Sequence, residues 1–391
     1  MRCSERAQIL GQDSFLLSTR TVEIAITALG GMLGPVTFFP EDETPIRPYA
    51  VAPWAEEPVE PGTPAVIRAL RGDWFCSAFG ANEELYRGKQ LPLHGETANG
   101  LWTELDRAST ESESWLRLGI DLPLQGGRCE SFTALYPGQS VIYQRHDLSG
   151  LVGPINPGHH ATLKVPSREG SARLSFSRYA FVCTPSEPLE RPGSGGYSAL
   201  AVGMENPDLH AAAQADGSTT DLYRYPARFG YDDVVIICAD TSNEFSWSAA
   251  TVPNDRYAWF AIRNSTQLCS TLLWFSNGGR RYPPWNGRHT NVVGIEDATT
   301  FFAVGLAASC RRNSLNERGI RTYLTPDGEG RLSIPYIQGV ARIPEGFDSV
   351  ISIEPEFGSI RLIAKSGVSV QMSCDLEFLR TGCFPGFESK L

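Results

Sequence analysis

Positive charge is in short supply in this sequence: 34 Lys and Arg stand against 44 Asp and Glu, a net charge of -10. Nucleic acid and anionic lipid are held by basic fields, so neither nucleic acid nor membrane is an expected partner. Long apolar runs are missing as well. No stretch approaches the roughly 18 residues of a membrane-spanning helix. The opening MRCSERAQILGQDSFLLSTR is broken by charge and lacks the apolar segment of a secretory signal. The nine Cys are odd in number, scattered and never spaced C-x-x-C, which argues against a disulfide framework and a zinc knuckle. A reducing, cytoplasmic setting is expected, and the sequon at Asn264 is expected to be a chance match.

What is there suits a large globular body. The chain has 391 residues, of which 41% are hydrophobic, enough to bury a core without crosslinks. The 38 Gly and 27 Pro are spread along the chain, as many strands joined by many turns require. Period-2 alternation marks TVEIAITALGG, ARLSFSRYAFVC and GSIRLIAKSGVSVQMSC, the last reading as a hairpin about Ser366-Gly367. YDDVVIICAD, RYAWFAIRN and STLLWFSN are short β-branched and aromatic runs of the kind found in buried strands. Helix patterns are few. Residues 206–217 and 296–313 could each hold a short one, the second with Asp297 as N-cap. No fixed-period repeat is visible, which weakens a propeller reading. The loosest stretches, 40–64 and 187–196, read as long surface loops, the first alternatively as an arm over a sheet edge. The expectation is an all-β fold, a large antiparallel β-sandwich with few short helices, as one domain over 1–391.

Only six His occur, and three of their contexts stand out. LPLHGETANGLW carries His94 in a turn. GPINPGHHATLKVP carries His159 and His160 at the mouth of an alternating strand. LWFSNGGRRYPPWNGRHTNVVGIED carries Asn277, Arg280, Arg281, Trp285, Asn286, Arg288, His289 and Glu296. Rings with Asn, Arg and Glu suit a sugar, whose apolar face stacks on an aromatic and whose hydroxyls need partners that donate and accept. A Glu following Val292-Val293-Gly294-Ile295 is poised for desolvation, which raises a carboxyl pKa toward a general base's range.

Taken together, PLHGETANGLW, GHHATL and GIED resemble, in this order, the His-Gly turn, catalytic-His and catalytic-Glu segments of the aldose 1-epimerase (galactose mutarotase-like) family. The resemblance runs from about Gly72 to Asp297, and ITALGGMLGPVTFF is loosely similar to an opening strand pair. It implies a supersandwich fold, a sugar substrate and no metal or organic cofactor. It also implies Glu296 as base, His160 as acid and His94 as a hydrogen-bond partner near the ring oxygen. Such positioned proton transfer is worth about 10²–10⁴-fold. His159, Asn82, Arg87, Asn277, Arg280, Arg281, Trp285, Asn286 and Arg288 are the candidate substrate contacts. Asn82 and Arg87 stand where the family's Arg before the His-Gly turn would be sought. The H-x-Y-F-N-L pattern is absent, and 391 - 296 = 95 residues follow Glu296, a long tail for this family.

Blander readings stand beside these. Only one of His159 and His160 can face a given side of a strand. Glu296 could be a helix-terminal carboxylate. Arg280, Arg281 and Arg288 could be a solvated loop, or could read an acidic sugar by bidentate contacts. His146 and His210 read as surface residues, and Trp102 as packing. Competing functions are a carbohydrate binder without turnover on the same scaffold, a glycosidase drawing a second carboxylate from Glu83, Glu84, Glu96 or Glu104, and a metal enzyme using His94, His159, His160 and His289.

Overall fold

The computed structural model describes residues 5–110 and 114–384; Cys3 lies outside them. Apolar side chains that recur every second residue commit a strand to burying one face. Here two large sheets bury those faces against each other. The six strands of the first sheet are numbered β1 (Phe75–Cys76), β2 (Gly158–Lys164), β3 (Tyr179–Cys183), β4 (Tyr231–Ala239), β5 (Ser270–Asn277) and β6 (Val292–Ala298), in spatial order β3-β4-β5-β6-β2-β1. All their pairings are antiparallel. A nine-stranded sheet lies opposite, with Tyr257–Asn264, Leu332–Arg342 and Val141–Ser149 at its centre.

Between them Leu163, Val235, Leu273, Phe275, Val293 and Ile295 of the first sheet meet Ile142, Leu148, Leu174, Trp259 and Val340 of the second. Each such side chain stabilises the sandwich by about 1.5–3 kcal/mol through its burial. Phe15, Leu17, Ile24 and Val36 of a four-stranded N-terminal sheet join the same core.

Much of the chain beyond Glu296 covers the far side of the nine-stranded sheet. Val350, Ile360 and Leu362 of a three-stranded sheet, with Phe378 and Leu379 of the helix Glu377–Thr381, pack on Phe132, Val141, Tyr143 and Phe260. Segment 46–51, in the first of the two loose stretches, runs along the edge of β2. Ala50 N donates to Thr162 O at 2.9 Å, and Lys164 N donates to Pro48 O at 2.8 Å.

Three sequence expectations change. Residues 296–313 hold a helix only at Leu306–Cys310. Glu296 and Asp297 belong to β6, which is bonded on both sides, so two ladders override the capping signal. Residues 206–217 form turns and a short pairing of Ala212–Ala213 with Thr219–Thr220 rather than a helix. There the Asp208 and Asp216 carboxylates each accept a backbone N–H two residues on, the local competition that disfavours helix. ARLSFSRYAFVC is two strands in different sheets, Ala172–Phe176 and β3, parted at Ser177-Arg178. The eight described cysteines are all free. No helix among the described residues is long and apolar enough to cross a membrane.

Candidate active site

The outer face of the six-stranded sheet floors a cleft of about 700 Å³. Register decides what that floor contains. His160 on β2 lies directly opposite Glu296 on β6, so both side chains emerge on one face, with His160 Nε2 3.3 Å from Glu296 Oε1. Gly294 precedes Glu296 by two residues and shares its face. A Cβ there would lie 2.4 Å from Glu296 Oε1, so the missing side chain is what lets the carboxylate lie back along the strand. Burial pushes the Glu296 carboxyl well above its ordinary range, with the Arg280 charge pulling the other way. Burial, then the neighbouring His94 and Arg280, hold His160 well below the usual histidine value.

His94 reaches the floor from a turn whose backbone is left-handed, at φ 61°, a region where His is among the more tolerated residues. Gly95 behind it cannot carry a side chain, because a Cβ would fall 2.5 Å from Ala78 N. His94 N donates to Gly80 O at 2.8 Å, and His94 Nδ1 accepts from Gly80 N at 3.3 Å. A neutral ring held this way carries its proton on Nε2, as a donor. Burial and the Arg280 charge lower its pKa to about 3, so the ring stays neutral. Its edge meets the His160 ring at 4.9 Å.

Aromatic rings build the walls. Trp74 stacks on His160 at 4.0 Å, Trp274 meets His160 edge-on at 5.9 Å, and Trp285 packs on Trp274 at 5.8 Å. Arg280 lies over Trp285 and Trp274, 4.6 and 5.0 Å from the ring centroids. Its Nε donates to Glu190 Oε1 at 2.7 Å, and Tyr282 Oη donates to the same carboxylate. Burial alone would lower the Arg280 pKa, but Asp232, Glu190 and Tyr282 together raise it, so it remains a cation. Asp232, pushed up to about 6 mainly by burial, accepts from Trp274 Nε1 at 3.1 Å and Gly279 N at 2.8 Å.

Of the sequence candidates, His94, His160, Glu296, Arg280 and Trp285 therefore meet on one cleft. The others are turned elsewhere. His159 alternates to the opposite face of β2 and pairs with buried Asp73. Asn82 is a buried bracket, its Nδ2 donating to Ala78 O, Gly80 O and Pro92 O. Arg87 donates to Val152 O beside a separate small cavity of about 170 Å³. Asn277 ties Ala227 O to Asn291 N. Arg281 lies over Tyr197, Asn286 closes a turn onto Tyr282 O, and Arg288 forks onto Glu57 at 2.7 and 2.8 Å. Of the arginines read as a possible anion grip, Arg281 and Arg288 thus turn to partners in the chain, while Arg280 lines the cleft.

Several wall residues carried no usable signal in the sequence. Trp74 and Trp274 sat in apolar runs, and Glu190 sat in a segment read as a surface loop. Glu190 is buried at 8% exposure, and only the folded chain brings it to Arg280. His146, read as a surface residue, is buried and stacked on Phe75 at 4.1 Å. His289 sits behind Trp274 with its Nδ1 2.8 Å from Ser276 Oγ. Among the described residues no three His, Cys, Asp or Glu side chains converge as metal ligands. Of the carboxylates considered for glycosidic cleavage, Glu83 is on the cleft wall. Glu84 pairs with Arg311, Glu104 with Arg107, and Glu96 accepts from Leu124 N and Gln125 N.

No family model matches the sequence, and no curated protein matches it. Solved structures do match the fold. A galactose mutarotase related enzyme from Lactobacillus acidophilus aligns with TM-score 0.52 and 11% identity, over 85% of this chain and 99% of its own. A Klebsiella pneumoniae protein proposed to be an aldose 1-epimerase aligns with TM-score 0.56 and 14% identity, over 84% of this chain and 79% of its own. A galactose mutarotase-like protein from Clostridium acetobutylicum gives 0.52 and 10%, over 86% and 98%. At such identities the likeness is one of fold: this chain has the galactose mutarotase-like β-sandwich.

Proposed function

We propose that the protein interconverts the anomers of an aldose, using Glu296 and His160 as the acid–base pair. The observation that carries this reading is the pairing of the two side chains across adjacent strands, 3.3 Å apart and buried, on the floor of a cleft with tryptophan walls. Anomer exchange needs one group to take the proton from the C1 hydroxyl and another to give a proton to the ring oxygen. The C1–O5 bond breaks, C1 becomes a carbonyl carbon, rotation presents its other face, and the same two transfers in reverse close the ring.

The net proton count is zero, so a pair that holds a single proton is sufficient. Burial raises the Glu296 carboxyl and lowers the His160 imidazole, so it favours the neutral form of each. The productive form is the one in which Glu296 is the carboxylate base and His160 carries the proton as acid, the two in contact at 3.3 Å. Trp74 fixes the plane of the imidazole. His94 Nε2–H supplies a donor for an oxygen beside the reacting bond, and Trp274, Trp285 and Trp74 offer apolar surface to a pyranose ring.

Saturation-transfer NMR on a panel of aldoses, wild type beside Glu296→Gln, tests the reading. Catalysed exchange in the wild type that drops by about 10²–10⁴-fold in the variant supports it. Binding contacts with no exchange above the buffer rate would replace it with a carbohydrate-binding role on the same scaffold.

A further inference from the structure

Two dipeptides distant in sequence, Asp73-Trp74 and His159-His160, lie side by side and do opposite things on the two faces of the sheet. On the cleft face Trp74 stacks on His160 at 4.0 Å with 19° between the rings. On the inner face His159 Nδ1 lies 2.8 Å from Asp73 Oδ2, and neither side chain has any exposed surface. The backbone ties the two faces together, because His160 N donates to Trp74 O at 3.0 Å. Gln338 Nε2 donates to the same Asp73 oxygen at 2.7 Å, and Tyr336 stacks on the His159 ring at 4.0 Å.

A stack of two rings has little lateral preference of its own, whereas a hydrogen bond to a buried carboxylate is short, directional and strong. The inner contact is therefore the stiffer of the two. It lies one residue away from the stack in both segments, so a shift of the inner pair moves the outer pair with it.

We propose that His159 and Asp73 are positioning residues: their buried hydrogen bond sets where the His160 ring sits against Trp74 and hence opposite Glu296. The importance of that placement rests on the proposed role of His160, but the placement itself can be tested without any activity.

The His160 ring protons lie over the indole face and are shifted upfield by its ring current. That resonance, identified by its disappearance in His160→Gln, reports the stack. His159→Phe keeps a ring against Tyr336 and removes the donor to Asp73. His159→Asn removes the ring and keeps a donor nitrogen at the Nδ1 position. The expected result is loss of the upfield shift in His159→Phe and its retention in His159→Asn, with thermal melts showing that both variants are folded. Retention in the Phe variant, or loss in the Asn variant, overturns the proposal, since either makes ring packing the determinant. If the Phe variant does not fold, the Asn variant decides alone. Anomer exchange by His159→Phe is expected to fall about 10²-fold in kcat with KM little changed, the scale of a displacement near 1 Å. A wild type without exchange would remove the proposed function and leave the NMR result to decide the positioning.

Discussion

The two faces of the six-stranded sheet are built from adjacent residues and could hardly differ more. On the inner face Asp73, His159 and Asp297 are committed to other protein groups. Asp297 alone takes hydrogen bonds from Tyr336 Oη at 2.8 Å and Thr271 Oγ1 at 2.7 Å, and pairs with Arg263 at 3.0 Å. On the outer face Trp74, His160 and Glu296 hold position through stacking and one 3.3 Å contact. Among the described residues His160 Nδ1 and Trp74 Nε1 on the outer face lack a hydrogen-bond partner, as do the second atoms of the inner pair, Asp73 Oδ1 and His159 Nε2. A buried polar group left underused weakens a fold. The difference teaches that short directional bonds anchor the inner face, whereas stacking holds the outer residues and leaves their polar atoms to the cleft.

The largest expected effect breaks the outer face. Glu296→Gln should cut anomer exchange by about 10²–10⁴-fold yet leave the fold more stable in mild alkali. The sign follows from the raised carboxyl. Below about pH 4.5, its ordinary value, the group is neutral folded or unfolded. Above that the unfolded chain loses the proton while the buried group keeps it, so the wild type loses stability as pH rises. Gln is neutral throughout. Melting curves at pH 8 and pH 4.5 should show the variant ahead at the first and level at the second; a variant that melts earlier at both would mean Glu296 is a structural residue.

Breaking the inner face should have the opposite signature. Asp297→Ala strands Arg263, whose side chain is 3% exposed, without its buried partner. Removing one member of such a pair costs about 3–5 kcal/mol, seen as a lower urea midpoint with unchanged slope. A stability loss below about 1 kcal/mol, the midpoint shift times the slope, would show that the inner network adds little and that the contrast between the faces is overstated.

How much of this contrast was legible in the sequence depends on the residue. Strand alternation alone says that His159 and His160 face opposite sides, and the strand-like Ala161–Lys164 that follows fixes the pattern locally. Nothing in the sequence says which side is the cleft, because that is decided by β6 pairing in a register that sets Glu296 against His160. The Gly294-Ile295-Glu296 segment carried both a strand and a helix-start signal, and only its pairing on two edges settles it. Arg280 reads the same as Arg281 and Arg288 in the sequence, and its counter-ion Glu190 is 90 residues away in a Pro- and Gly-rich loop. Trp74 and Trp274 look like any buried tryptophan until the sheet shows which face they occupy.

A third effect concerns the buried histidines, His146 and His160 among them. His94 and His289, lowered from 6.5 to about 3 chiefly by burial, contribute stability that is fully present above pH 6.5 and is lost as pH falls toward 3. At pH 5 the loss is about 2 kcal/mol for each ring, from 1.36 kcal/mol per pKa unit. The melting temperature should therefore fall between pH 6.5 and pH 5. His289→Gln should flatten that slope by its share, because its ring packs against Trp274 and Trp285. An unchanged slope in the variant would assign the acid sensitivity to other groups.

The smallest expected effect sharpens the boundary of the cleft. Arg288 and Glu57 form a fork at 2.7 and 2.8 Å, with side chains 40% and 47% exposed. A pair this open to water is screened and adds little to stability. Arg288→Ala should thus melt within a degree or two of the wild type and leave exchange rates for neutral and acidic sugars in the same ratio. The comparison with acidic sugars is the informative part. Arg288 belongs to the same loop as Arg280, and a sequence reader would assign both to an anion. Its guanidinium is already satisfied by Glu57, whereas Arg280 stands over Trp274 and Trp285 inside the cleft, with its Nε bound to Glu190. A selective loss of binding to uronic acids in Arg288→Ala would mean that Glu57 releases this residue to the ligand, and the cleft would then extend farther along the loop than its resting walls.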